Sequence, residues 1–279
     1  MTEKLYDKFP YEKSFAATVC SCTPAEGGFD VVLDRTLFFP ESGGQTSDRG
    51  TLTTAEGSAC VSDVQIDEAS GIIRHRTDKA LEPGTKAEGQ IDCQLRFGNM
   101  QQHTGEHIFS GIVHSSFGYE NVGFHLSENE VTMDYSGPLN KEDILKLEHA
   151  ANEAIAGNIP VHCFYPEAEA LKSINYRSKK EIQGDVRIVE IPDVDTCACC
   201  APHVSSTAQV GLLKVVNFQK NKGGVRVWIL CGFRALEYFN TLQDAAEVVK
   251  NDYSVPATAE DFKDAIEKRA AQAVKSKEH

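Results

Sequence analysis

Two histidines stand four residues apart in QQHTGEHIFS, His103 and His107, with Glu106 directly before the second. On a helix, side chains at this spacing share a face about 5–6 Å apart at Cβ, so both imidazoles can converge on one ion. Such pairs also occur on solvated helix faces, and this one needs company from elsewhere in the chain. Far downstream, CACCAPH supplies Cys199 and His203, a second pair at the same spacing. A thiolate and three imidazoles suit a borderline-soft ion in a tetrahedral shell, and zinc is the default cation for that set.

Which thiol joins the histidines is open at this level, because Cys197, Cys199 and Cys200 lie together. Pro202 and the turn-like CAPH segment favour Cys199 folding back toward the ion held by His203. Cys197 and Cys200 then remain as buried small hydrophobes or free thiols. A structural site built from several thiolates is the alternative.

The elements that must position these groups follow from periodicity. Residues 1–98 carry short alternating runs, such as SFAATVCSC and FDVVLDRTLFF, separated by Gly, Pro, Ser and Asp. That pattern predicts a small antiparallel sheet or barrel. From Met100 to His114, Ile108, Phe109, Ile112 and Val113 recur at helical spacing, which places HTGEH on a helix. FHLSENEVTMDYS reads as a hairpin, and Lys141–Gly157 as a second helix with Gly157 as its stop. Strands are expected over 161–165, 186–191, 210–217 and 224–230, with a short helix around Glu167 to Lys172. From Arg234 the chain is helical, is interrupted at SVPAT, and closes in a charged amphipathic run. This order predicts an α+β layer rather than a doubly wound parallel sheet.

Composition narrows the class. With 279 residues, 41% hydrophobic and 25% charged, the chain is long enough for two globular domains. No apolar run approaches the roughly 18 residues of a membrane span, and the start lacks the apolar centre of a signal peptide. The expectation is a cytoplasmic protein without a membrane partner. Nine cysteines, three of them in CACC, point in a reducing compartment to metal binding or reactivity more than to disulfides. A net charge of −13 argues against non-specific coating of nucleic acid. Yet Thr196 to Leu236 holds no Asp or Glu, while Lys214, Lys220, Lys222, Arg226 and Arg234 are present. Either a local basic face meets a polyanion there, or strand-rich segments simply hold few acids.

Three blocks now stand in order: LDRTLFFPESGGQTSDRG, HTGEH, and the Cys-x-x-x-His that leads into HVSSTAQVGLLKVVNFQKNKGGVRVWILCG. Together they resemble the editing domain of alanyl-tRNA synthetases and its freestanding relatives, the AlaX proteins, over roughly Phe29 to Gly232. The resemblance implies an α+β protein in which an N-terminal antiparallel β-barrel (1–98) precedes a two-layer α/β editing domain (99–233). C-terminal helices (234–279) would begin the extension of the long form and offer a surface for a homodimer; the terminal run ends without a stop signal, as either a longer chain cut at this length or a frayed terminal helix would. The aminoacylation domain of a full synthetase has no counterpart, which implies a deacylase working in trans.

The resemblance further implies zinc held by His103, His107, Cys199 and His203. The substrate would be tRNA(Ala) mischarged with serine or glycine, and the reaction hydrolysis of the aminoacyl ester. Glu106 and Gln45 are the candidates for aligning water, although Glu106 is expected to turn about 100° per residue away from the histidine face toward solvent or a supporting position. Gly43, Gly44 and Gln45 are expected to lie over the metal pocket and help to select serine; a plain β-turn is the alternative for PESGGQ. Arg226 is the candidate substrate contact. The chain departs from its relatives in having Cys199-Cys200-Ala201-Pro202-His203 where many have a glycine-rich loop, and Val225-Arg226-Val227 where synthetases have paired arginines.

His114 and His125 read as packing or surface residues, Asp134 as a turn or surface acid, and Arg187 as either a phosphate contact or a carboxylate partner. Two rival functions remain at this level. HTGEH also fits the His-x-x-Glu-His of inverzincin peptidases, which take a downstream acid as third ligand. A tRNA-binding module with a purely structural zinc is the other.

Overall fold

Alternation of inward and outward side chains organises the first part of the chain. Strand β8 (Lys86–Ile91) buries Ala87, Gly89 and Ile91 and exposes the residues between them, and β7 (Ile72–Thr77) buries Ile73, His75 and Thr77. With β2 (Ser14–Ala25), β3 (Gly28–Leu33), β5 (Gly50–Thr54) and β6 (Gly57–Asp67), these strands close into an antiparallel barrel of order β2-β3-β7-β6-β5-β8. Closure leaves no unpaired sheet edge. Two short strands, β1 (Glu3–Lys4) and β4 (Arg35–Thr36), pair in parallel beside it. The interior is filled by residues such as Val31, Leu33, Phe38, Leu52 and Ile73. Polar side chains sit beside them: His75 is fully buried, bonded to the buried Thr36 Oγ1 at 2.8 Å and to Val31 O at 3.0 Å.

This is a computed structural model, and it describes residues 1–178, 184–253, 263, 264 and 266–270. Met1–Gly232 forms one compact unit. Its second half is built around helix α1 (Cys93–Phe117), which starts at Cys93 rather than Met100 because the Asp92 side chain caps the backbone N–H groups of Gln94 and Leu95. Gly118, at φ 70°, ends it. From Asn99 to Gly111 every residue of α1 is buried. The helix is therefore a central rod and not the one-sided amphipathic element that its polar residues suggest.

Around the rod lie α2 (Lys141–Ala156), capped by Asn140, and an antiparallel sheet of order β14-β15-β10-β9. Its strands are β9 (Asn121–Leu126), β10 (Val131–Tyr135), β14 (Leu213–Asn221) and β15 (Gly224–Cys231). A three-stranded sheet joins β11 (His162–Phe164), β12 (Ile188–Ile191) and β13 (Asp195–Ala198), and a single helical turn, α3 (Ala168–Leu171), follows β11. The architecture is α+β, as the element order predicts.

Two local differences matter for the site. The cysteine cluster begins on strand β13, paired with β12, where no strand is expected from the sequence. Strand β14 starts at Leu213 because Thr207–Val210 forms a 3-10 turn first. A second unit, Phe233–His279, is entered through helix α4 (Gly232–Tyr253). The expected break at SVPAT and the end of the terminal run lie outside the described residues. No described helix is long and apolar enough to cross a membrane.

Candidate metal centre

The two dyads meet. His103 and His107 are carried one turn apart on the buried rod, and Cys199 and His203 on the loop that leaves β13. One ligand atom from each of the four lies within 4.8 Å of all the others. Cys199 Sγ is 3.5 Å from His103 Nε2 and 3.4 Å from His203 Nε2. A tetrahedral zinc with Zn–S about 2.3 Å and Zn–N about 2.0–2.1 Å sets S···N edges of about 3.5 Å, so the spacing fits such an ion. The three imidazole centroids stand 4.6–5.4 Å apart.

Each histidine is also held from behind. Nδ1 of His103 faces Gln45 Oε1 at 2.7 Å, Nδ1 of His107 faces Asp195 Oδ2 at 3.1 Å, and Nδ1 of His203 faces Thr104 Oγ1 at 3.0 Å. Partners of this kind fix tautomer and ring orientation and leave each Nε2 as the ligand atom. Asp195 is gripped in turn by Arg177, whose Nε and Nη2 donate to its two oxygens at 2.7 and 2.9 Å. Burial pushes the Asp195 carboxyl upward, but the bonds from His107 and Arg177 outweigh it and hold the group below the usual carboxylate range. A cavity of about 510 Å³ opens on this side of His107, lined by residues that include Gly111, His114, Tyr176, Arg177 and Asp195.

The electrostatics match the donor set. Burial, with Cys200 adding, pushes the Cys199 thiol well up, and burial together with His107 and His103 pulls His203 well down. A neutral His203 imidazole is what a divalent cation requires of it, and the charge of such an ion is what converts a buried thiol such as Cys199 into a thiolate. Arg187 braces the loop by donating to the carbonyls of Cys199 and Ala201 at 3.0 and 2.9 Å, with Asp7 at 3.9 Å. Of the two roles open to Arg187 in the sequence, the structure shows interior bracing beside a carboxylate.

Glu106 is buried and turned toward the β9–β10 hairpin. Its Oε1 accepts from Ser110 Oγ at 2.7 Å and Asn121 Nδ2 at 2.6 Å, while Oε2 lies 3.8 Å from His107 Nε2. It is thus beside the ligand cluster and not in solvent. Gly43 and Gly44 have φ of 62° and 87°. A Cβ on Gly44 would fall 2.3 Å from Phe124 O, so only glycine lets this loop close on the strand whose Phe124 ring lies tilted with its centroid 4.7 Å from that of His103. Ser42 Oγ meets Cys200 Sγ at 3.4 Å, which brings the PESGGQ turn onto the metal loop. Cys197 is buried on β13 and Cys200 is exposed.

The remaining sequence candidates lie elsewhere. Arg226 faces Asp134 across β15 and β10, donating twice at 2.6 Å, so that pair must open or share before Arg226 meets a substrate. Lys214 is paired with Glu148 at 2.8 Å. His114 pairs with Glu120 at 3.1 Å on the half-exposed end of α1. The supporting groups Asp195, Arg177 and Thr104 are absent from the sequence-level set. Asp195, four residues before Cys199, and Thr104, beside His103, carried a spacing signal in hindsight; Arg177 carried none.

An antiparallel barrel joined to an α+β layer, with a buried His3Cys cluster whose spacing fits a divalent ion, defines a two-part protein with a candidate metal centre. Residues 8–95 match the family model for class II (A) tRNA synthetases, and residues 186–227 that for the second additional domain of threonyl and alanyl tRNA synthetases. The chain is 33% identical to the alanyl-tRNA editing protein AlaX-L of Pyrococcus horikoshii, over 87% of this chain and 61% of that protein. It is 33% identical to the alanine–tRNA ligase of Natronomonas pharaonis over 94% and 30%, and 30% identical to the alanyl-tRNA editing protein Aarsd1 of Bos taurus over 82% and 54%. The chain therefore spans between 30% and 61% of the length of these relatives. The chain is a homologue of the alanyl-tRNA editing proteins of the AlaX family.

Proposed function

We propose that this protein is a zinc-dependent ester hydrolase that removes serine, and by extension glycine, from mischarged tRNA(Ala), acting in trans. The observation that carries this reading is the convergence of His103, His107, Cys199 and His203, each imidazole oriented by its own partner, in a chain similar to proteins named for alanyl-tRNA editing. We read 1–98 as the barrel domain, 99–233 as the editing domain and 234–279 as an extension through which two copies associate. The cytoplasm is the compartment in which such a substrate is met.

When bound, the ion, its tetrahedral shell filled by four protein ligands, would supply a fixed positive charge that orients the substrate's amino or ribose groups. The residues of this chain do the rest. Gln45, Asp195 and Thr104 hold the three rings so that their Nε2 atoms stay converged. Ser110 and Asn121 fix the Glu106 carboxylate with Oε2 toward His107. In this reading Oε2 takes a proton from the attacking water as its oxygen bonds to the ester carbon. The proton passes to the ribose oxygen when the ester C–O bond breaks, leaving a free amino acid and a terminal hydroxyl. The Gly43–Gln45 loop covers the site and contributes to selection, because a pocket that hydrogen-bonds a hydroxyl disfavours alanine.

A time course with the serine, glycine and alanine esters of one tRNA, repeated with His103→Ala and His107→Ala, tests this. The serine ester should be cleaved at least about tenfold faster than the alanine ester, a preference that one well-made hydrogen bond supports. Both variants should lose that activity. Equal lability of serine and alanine, or full activity in both variants, overturns the reading.

A further inference from the structure

The Gln45 side chain combines three properties. It is 1% exposed. Its Oε1 is fixed on His103 Nδ1 at 2.7 Å. Its Nε2 has no hydrogen-bond partner among the described residues. A buried amide donor without a partner is rare in folded proteins, because the lost hydration is not replaced, and an unmatched one calls for an explanation.

The orientation of the amide is not arbitrary. A histidine that ligates an ion through Nε2 carries its proton on Nδ1. The group facing Nδ1 must then accept, so Oε1 belongs there and Nε2 is turned the other way. Metal ligation and the unpartnered donor are thus two ends of one chain of hydrogen-bond polarity. Gln45 also touches the ring nitrogen that points away from the ligand cluster, so its amide stands one imidazole outside the metal shell. Gly43 and Gly44, the two residues before it, are exposed, so the amide lies just beneath the surface.

We propose that Gln45 Nε2 is the serine-selecting group, donating its free N–H to the substrate's side-chain hydroxyl. This rests on the editing function given above and names the atom that performs its selection. Serine completes the amide, whereas alanine leaves the donor as unmet as it is in the free protein, and the bond that serine alone gains is the discrimination. Glycine, lacking the hydroxyl, gains nothing from Gln45.

The inference is tested in two arms. In the first, the side-chain amide resonance of Gln45 is followed by 15N NMR in the zinc-loaded wild type while 3′-seryl-amino-3′-deoxyadenosine or its alanyl counterpart is added. The seryl compound should shift the resonance and the alanyl compound should not; equal shifts, or none at saturation with the seryl compound, overturn the proposal. In the second, Gln45→Met should lower the serine-to-alanine ratio of kcat/KM about 10- to 100-fold at saturating zinc. It should also weaken zinc binding about 10-fold by removing the partner of His103. Asp195→Asn provides the control, because it weakens zinc in the same way yet should leave the ratio as in the wild type. A ratio that survives Gln45→Met, or falls equally in Asp195→Asn, overturns the proposal. A wild type that leaves the seryl ester intact instead defeats the editing function, and the two failures are distinct.

Discussion

At the scale of single residues, the centre depends as much on the atoms behind the histidines as on the ligands. Asp195 shows this most directly, since it orients His107 and is itself clamped by Arg177. Asp195→Asn keeps the shape but weakens the acceptor, and zinc affinity measured by chelator competition should fall about 10- to 100-fold. Excess zinc should restore most of the hydrolysis. Ligand spacing was legible in the sequence because two four-residue intervals are local facts. The Arg177–Asp195–His107 chain was not, because it joins three segments whose proximity only the folded chain creates. Glu106 marks the same limit: helical geometry turns it off the histidine face, but that direction leads to Ser110 and Asn121 rather than to water.

At the scale of elements, the alternating runs specify the barrel, while α1 was only half legible. Its helical character follows from periodicity, but its burial does not, because Gln101, Gln102 and Glu106 look like surface residues. They are tolerated inside because each finds a partner: Gln102, for example, donates to Cys231 O at 2.8 Å and accepts from Cys231 N at 2.7 Å, as a further strand would. A second buried polar group makes the barrel sensitive to acid. Burial lowers the pKa of His75 from 6.5 to about 4. Between those values the unfolded chain binds the proton and the folded chain does not, so stability rises with pH across that window and is lost as pH falls from 6.5 toward 4. The loss amounts to about 3 kcal/mol for one such group. Urea unfolding at a series of pH values should show it, and His75→Gln should flatten the slope; an unchanged slope would place the acid sensitivity elsewhere.

At the scale of the whole Met1–Gly232 unit, one ion pair joins the barrel to the rod. Arg96 on α1 and Asp48 are only 2% and 1% exposed, and Arg96 also donates to the Leu37 carbonyl at 2.5 Å and that of Pro10 at 3.1 Å. Asp48 holds Phe39 N at 2.7 Å. Removing one member leaves a buried charge without compensation, so Arg96→Met should cost roughly 3–5 kcal/mol. Calorimetry should record a large fall in Tm, and a change under about 1 kcal/mol would show that the pair is not buried in solution. Neither partner carries a sequence signal, since an Asp in a turn and an Arg near a helix start are ordinary surface residues until the fold encloses them.

The loop that donates Cys199 is seated with its next residue but one, Ala201, inside the apolar filling of the barrel, while Cys199 itself touches both interiors. Stripping the cation with a chelator should therefore slacken more than the coordination sphere. The first hundred residues, which contribute no ligand, should become susceptible to protease, and restoring zinc should protect them again.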